Sequence, residues 1–380
     1  MLMSVLNICQ MITELRPAGA ERCVYELATR LDATRFNVRV IALGTGRVAE
    51  DLRSLGVRVD VLNVRGKWDL PRLARLVPLL RTPRVDVLHT HLFHADVVGR
   101  CASVMAGVGK VVHTIHVAEA RYRPWHFAWA RAARWKCEKL ICVSHGVERF
   151  HRRKTGLRGD DYCVIHNGID VDAFETDPSR RVDARARMGI GEGDFVVVFV
   201  GRLDRQKGLT TLLQAARLLS NRHGMRFLIA GQGPLRQYVE DFIRDNRLGN
   251  VRLLGYVSPI ASLYAAADAF AMPSMWEGFG LSAGEAQASG VPVVASRVAG
   301  LEEVVGDAGL LIAPGDSDQL ARCLVRLRED ENLRASVGRA GLQRVRELFS
   351  MKRYIAEHER LYEGLYAQRP DQHTRAGAQV

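Results

Sequence analysis

The chain has 380 residues, 47% of them apolar, and a net charge of +12. That is more than one ordinary core accommodates, so two domains of about 150 to 200 residues are the first expectation and wholesale disorder is excluded. The longest apolar runs, Phe195 to Val200 and Leu263 to Pro273, fall well short of the roughly 18 to 20 residues of a membrane-spanning helix.

Residues 1 to 9 lack a basic lead and a small-residue cleavage site, so the segment reads as a buried strand, not a signal peptide, and a cytoplasmic chain is expected. Strand-like β-branched runs then alternate with helix-length segments: Met3 to Cys9, Asn37 to Leu43, Val57 to Leu62, Val85 to Thr90, Lys110 to Thr114, Leu140 to Val143 and Tyr162 to Ile165. The rhythm breaks over the Arg- and Asp-rich stretch from Asp170 to Glu192. It restarts with the central strand Phe195 to Val200 and continues through Arg226 to Ala230, Val251 to Leu254, Ala269 to Met272 and Pro292 to Ala295. Helices follow at Gln319 to Leu327, with Asp316 as a candidate N-cap, at Glu331 to Leu348 and at Met351 to Tyr366; the polar tail from Arg369 is expected to fray. The pattern predicts an α/β chain of two doubly wound parallel sheets, with a ligand cleft between facing strand ends.

Charge separates the halves. Up to residue 170 there are 27 Lys and Arg against 16 Asp and Glu, and beyond it 27 against 26. Seven cysteines with no C-x-x-C pair argue against a disulfide framework and a structural zinc site.

The densest chemical signal runs from Pro273 to Val294. Gly278 and Gly280 let the backbone approach a ligand, the following helix N-terminus suits an anion such as a diphosphate, and Glu277 and Glu285 are spaced to meet sugar hydroxyls and a ribose diol. Each part has a bland alternative, a solvated glutamate or a tight turn. The whole string, however, resembles the E-x7-E signature of the retaining glycosyltransferases of family four (group 1, glycogen-synthase-like). The resemblance extends through Ala18-Gly-Ala-Glu-Arg22, His89-Thr-His91, His116, Val143-Ser144, His166 to Asp170, Gly201-Arg-Leu203, Lys207-Gly208, Gly231-Gln-Gly233, Gly255 and Pro314-Gly-Asp316.

This resemblance implies the GT-B fold, two facing Rossmann-like domains. Residues 1–170 would bind acceptor, 171–350 would bind nucleotide sugar, 351–368 would form a C-terminal helix packed back on the first domain, and 369–380 would be a flexible tail. The implied activity is retaining transfer of a sugar from a UDP- or GDP-sugar to an acceptor hydroxyl, without a metal cofactor. By the same resemblance Arg202 and Lys207 hold the diphosphate, His116 sits beside the donor sugar, Glu277 serves catalysis, and Gly201, Gly231, Gly233, Gly255, Tyr256, Gly278, Phe279, Gly280, Leu281 and Glu285 bind donor. Where the family has Gly-Gly, this chain has Ala18-Gly19, so close backbone approach in the first domain falls to Gly19.

Other patterns weigh less. Gly231-Gln-Gly233 begins like a dinucleotide-binding G-x-G-x-x-G, but residue 236 is Arg and no acidic residue ends the next strand, against a dehydrogenase. His89-x-His91, with His94, His113 and His116 nearby, could present imidazoles to zinc, but a metallohydrolase would need later His and Asp ligands on one barrel and this chain breaks into two domains; a structural role or a place in the acceptor cleft fits better. Asp170-Val-Asp172 and Asp316-Ser-Asp318 read as caps, not metal motifs. From Arg121 to Lys154 ten cations face two glutamates, with Trp125, Trp129 and Trp135 on one helical arc and Phe127, Arg131 and Arg134 opposite. That arc either packs on the sheet or meets an anionic membrane on the cytoplasmic face. No nucleic-acid motif accompanies the charge. A glycan or lipid-linked acceptor in cell-surface polysaccharide synthesis is expected; the alternatives are a nucleotide-sugar epimerase on the same fold and a non-catalytic peripheral binder of nucleotide sugars.

Overall fold

A computed structural model describes residues 5–66, 69–119, 121–175 and 178–367. The expected strand start at Met3 and the tail 369–380 lie outside the described residues. Seven strands, β1 Leu6–Ile12, β2 Phe36–Ala42, β3 Arg58–Val61, β4 Val87–His91, β5 Lys110–Ile115, β6 Lys139–Cys142 and β7 Tyr162–Val164, form a parallel sheet in the order β3-β2-β1-β4-β5-β6-β7. Six more, β8 Phe195–Val200, β9 Met225–Ala230, β10 Val251–Gly255, β11 Ala269–Met272, β12 Val293–Ser296 and β13 Leu310–Ile312, form a second in the order β10-β9-β8-β11-β12-β13. Both are doubly wound α/β sheets, as the alternation predicted.

Strand β8 shows why its run is apolar without interruption. Phe195, Val197 and Phe199 enter one core and Val196 and Val198 the other, because successive side chains leave opposite faces and helices cover both. Each sheet reverses its winding beside a central strand, β1 or β8, which places ligand sites at the carboxyl ends of those strands.

The helix Met351–Ala367 buries Met351, Tyr354, Ile355, Tyr362 and Leu365 against Leu6, Ile8, Val87, Val112 and Ile141 of the first sheet. At roughly 1.5–3 kcal/mol for each fully buried large side chain, that seam ties the chain end firmly to the first sheet. The two passages between the sheets run side by side: Ile169 N–H donates to Phe349 O at 2.7 Å, and Met351 N–H to Ile169 O at 2.9 Å.

Two elements differ from expectation. The polar stretch after Asp170 contains the helix Pro178–Met188, two of whose cations face inward: Arg185 is buried and, with Arg181, pairs Asp268. An Arg-rich sequence hides such a helix because its anchoring groups look like solvent-facing ones. Strand β13 is only three residues long and carries little periodic signal.

Candidate functional site

The carboxyl ends of β8, β9 and β10 bring Gly201, Gly231 and Gly255 together. Gly231 N–H donates to Gly255 O at 2.7 Å, and a Cβ on Gly231, whose φ is +142°, would lie 1.8 Å from Gly201 O. The glycine is therefore required by the protein's own backbone, as is Gly233, packed on Leu203 O. Tyr256 projects beyond β10 with its ring exposed.

The two predicted cations behave differently. Lys207 is largely enclosed, and its Nζ lies 2.5 Å from Glu277 Oε1, which also accepts from Ser274 Oγ at 3.1 Å. Arg202 is mostly exposed at the cleft mouth and pairs with Asp204, whose other oxygen accepts Gln206 N–H at 2.7 Å. Lys207 and Glu277 are thus built as one unit, with Arg202 tethered beside them.

In the loop after β11, Gly278 meets the first domain directly: a Cβ there would fall 1.8 Å from His116 O, while Gly278 O accepts from Ser144 Oγ at 2.7 Å. Gly280 has φ +98° and begins the helix Leu281–Ala288. Leu281 faces Gly19 across the cleft: a Cβ on Gly19 would lie 3.5 Å from Leu281 Cδ1, an ordinary contact. Phe279 does not offer its ring to the cleft. Its side chain is buried against His166 and Phe349, so any donor contact at this position is left to the backbone.

Glu285 is also more occupied than a free ribose ligand would be. Its Oε1 lies 3.1 Å from the Arg22 guanidinium of the first domain, and its Oε2 accepts from Tyr264 OH at 2.9 Å. Burial pushes its carboxyl above the ordinary range, with Arg22 and Tyr264 pulling it back. A ribose diol would have to share these partners. Sequence reasoning did not assign Arg22 or Ser144 a role, although both stand in quoted motif strings.

On the first-domain wall His116 Nε2 lies 2.9 Å from His91 Nδ1, and His91 Nε2 lies 2.7 Å from Gln10 Oε1. Since an amide oxygen only accepts, His91 carries its proton on Nε2 and accepts from His116 Nε2–H, leaving His116 Nδ1 as an acceptor. Gln10 Nε2 donates to Tyr362 OH at 3.0 Å, and His89 bridges Tyr362 OH and Thr114 Oγ1 at 2.7 and 2.6 Å. His89 and His91 are fully buried within this network. Burial, reinforced by His113 and His358, lowers the His116 pKa to about 3, so His116 is neutral at working pH.

Among the described residues, His145, His166 and Glu303 offer ligand atoms within 4.8 Å of one another. Glu303 is already engaged, accepting His145 N–H at 2.9 Å, Gly146 N–H at 2.6 Å and His166 Nε2 at 3.1 Å. It caps a first-domain helix from the second domain.

Of the tryptophan arc, left open between core and surface, two of the three rings are exposed. The helix Pro124–Ala132 buries Phe127 and Ala130, leaving Trp125 55% exposed, and a 3-10 turn then leaves Trp135 75% exposed. Phe127 packs near Phe150 and His151, on the side of the helix opposite Trp125. Not every cation is free: Arg134 pairs Asp161, and Lys136 Nζ donates to Val108 O at 2.6 Å.

Glu21, in the helix Gly19–Arg30, has its pKa raised to about 7 by burial. The folded state then holds a proton that the unfolded state releases near pH 4.5, so stability falls as pH rises from there to about 7 and is level above. Glu21→Gln is expected to remove that fall, worth up to about 3 kcal/mol. Melting temperatures at pH 5 and pH 8 should converge in the variant, and an unchanged pH slope would contradict the assignment.

A family model described as Glycosyltransferase Family 4 matches residues 17–173, and one described as Glycosyl transferases group 1 matches residues 194–330. The UDP-Gal:alpha-D-GlcNAc-diphosphoundecaprenol alpha-1,3-galactosyltransferase of Escherichia coli is 28% identical, covering 83% of this chain and 86% of that protein. The D-inositol 3-phosphate glycosyltransferase of Corynebacterium aurimucosum is 31% identical, covering 76% and 74%. Among solved structures, Anabaena Alr3699/HepE in complex with UDP-glucose matches with a TM-score of 0.87 at 24% identity, over 94% of this chain and 100% of that one.

Proposed function

Because the chain belongs to the family-four, group 1 glycosyltransferases, we propose that it moves a hexose from a UDP- or GDP-sugar to a glycan hydroxyl with the anomeric configuration retained. The observation that carries this reading is the Lys207–Glu277 pair at 2.5 Å, seated under a loop whose Gly278 touches the His116 backbone across the cleft. As the glycosidic bond breaks, negative charge grows on the leaving diphosphate, and Lys207 with Arg202 stabilises it. Glu277 orients Lys207 and accepts from donor hydroxyls. His116, neutral and protonated on Nε2, offers Nδ1 to a sugar hydroxyl. The acceptor hydroxyl enters on the face the diphosphate leaves, and a phosphate oxygen takes its proton.

The family assignment favours transfer over the epimerase and non-catalytic readings. The acceptor in this reading is a lipid-linked glycan, as the name of the Escherichia coli relative specifies for that protein. Exposed Trp135, with Arg131, Arg149, Arg152, Arg153 and Lys154 in solvent, supports docking on an anionic membrane from the cytoplasmic side. Among the described residues no helix is long and apolar enough to cross a membrane.

The test is a screen of nucleotide sugars for thermal stabilisation and for release of nucleotide. A ligand at a hundred times its Kd stabilises the fold by about 2.7 kcal/mol. A UDP- or GDP-sugar is expected both to raise Tm and to be hydrolysed slowly; neither effect with any donor would overturn the reading. Chelation with EDTA is expected to leave turnover unchanged, because side-chain cations carry the neutralisation, and loss restored by Mg²⁺ would refute that part. Flotation with anionic but not neutral liposomes is the expected membrane result.

A further inference from the structure

Aromatic rings gather on the segments that follow β4 and β5. The Trp125 and His126 rings stack with centroids 3.7 Å apart, His126 lies 4.4 Å from Tyr122 and nearly parallel to it at 3°, and Phe93 stands edge-on to Trp125 at 5.3 Å and 78°. His126 is pinned where its helix begins, its Nδ1 accepting Arg123 N–H at 3.1 Å. Phe93 is delivered by Leu92, held at φ +66° and ψ 153°, a backbone conformation a leucine adopts only under constraint from its surroundings.

The cluster borders the cleft. β4 and β5 pair in parallel with His91 opposite Thr114, so both strands end at one rim. Arg121, one residue before Tyr122, reaches the second domain, standing 5.8 Å from the Trp276 ring and 3.8 Å from Asp204. Core packing explains Phe127 but not Trp125, whose indole is held rigid and left in solvent.

We propose that Phe93, Tyr122, Trp125 and His126 form a stacking subsite for a pyranose ring of the acceptor glycan. A sugar presents one face of C–H bonds and a rim of hydroxyls. A fixed indole matches the first, and the polar edges of Tyr122, His126 and His94 match the second. Preorganised rings spare the ordering cost that a mobile side chain would add on binding. The proposal rests on the glycosyl-transfer reading for the identity of the acceptor, but not for the ring contact itself.

Saturation-transfer NMR of the full chain with methyl glycosides of glucose, galactose and N-acetylglucosamine tests it without turnover. At least one glycoside should show saturated ring protons with wild type. In Trp125→Ala its affinity should fall about tenfold, with Trp125→Phe intermediate, as for loss of one aromatic contact. Trp135→Ala should leave it unchanged, and Trp125→Ala should keep acceptor-independent donor hydrolysis. No saturation with any glycoside, equal saturation in Trp125→Ala, or an equal loss in Trp135→Ala would overturn the subsite, as would a flotation defect in Trp125→Ala with sugar contact intact. Absence of donor hydrolysis in wild type would instead sink the transfer reading and leave the ring contact standing.

Discussion

Lys207→Ala is expected to lower kcat for donor hydrolysis and transfer by about 10²–10³, the usual loss when one preorganised donor to transition-state charge is removed. The Lys207 side chain is only 17% exposed, and its Nζ lies 2.5 Å from Glu277 Oε1, so the ammonium is fixed before substrate arrives and acts where water screens it little. Since the charge it meets grows during bond cleavage, kcat should fall more than donor affinity. Glu277→Ala should cost a similar factor, because it frees Lys207 from its anchor. The two losses should not multiply: paired groups fail together, and the double variant is expected near the worse single one. Lys207→Ala also strands a carboxylate in a site where Glu277 is 5% exposed, so its Tm should drop, whereas Lys207→Met with Glu277→Gln should recover stability without recovering turnover. Wild-type kcat in both single variants would remove these residues from the reaction.

What could be read from the sequence was what is local. The run Phe195 to Val200 declares a strand covered on both faces, and Asp316 declares a helix start, which its Oδ1 makes by accepting Gln319 N–H at 2.7 Å. The motif string around Glu277 named the loop, and the structure brings that loop to Lys207. Contacts between distant segments were not legible. Arg22 and Glu285 meet across the cleft, and nothing in either neighbourhood announces the other. The site glycines were read as making room for ligand, but Gly231 and Gly278 also make room for backbone of the protein itself. The tryptophan arc stayed open between core and surface because a helical wheel gives relative directions and not which side faces the core. Phe127 and Ala130 took the inner face, and the helix ends before Trp135.

Gly278→Ala should damage transfer severely, because the methyl has no room. The added Cβ would sit 1.8 Å from His116 O and 3.0 Å from Val117 Cα, against backbone that cannot rotate away as a side chain can. Retreat in the other direction is closed, because the helix Ala299–Val305 brings Gly300 so near that its own Cβ would lie 2.2 Å from Gly278 O. The loop must therefore move as a whole, carrying Glu277 with it, or the two sheets must separate at this contact. Displacing a reacting group by about 1 Å can cost 10²-fold, so kcat/KM for transfer should fall by at least about that factor. Overpacking typically costs about 1–3 kcal/mol, which lowers Tm by several degrees but leaves the protein folded. Nucleotide alone should still stabilise the variant, since Gly201, Gly231 and Gly255 stand on the other strand ends. Gly109→Ala, where a Cβ meets nothing within 4 Å, is the control and should behave as wild type. If Gly278→Ala transfers sugar at the normal rate, the seating of this loop on His116 has no part in the reaction, and the donor sugar must be held by other groups.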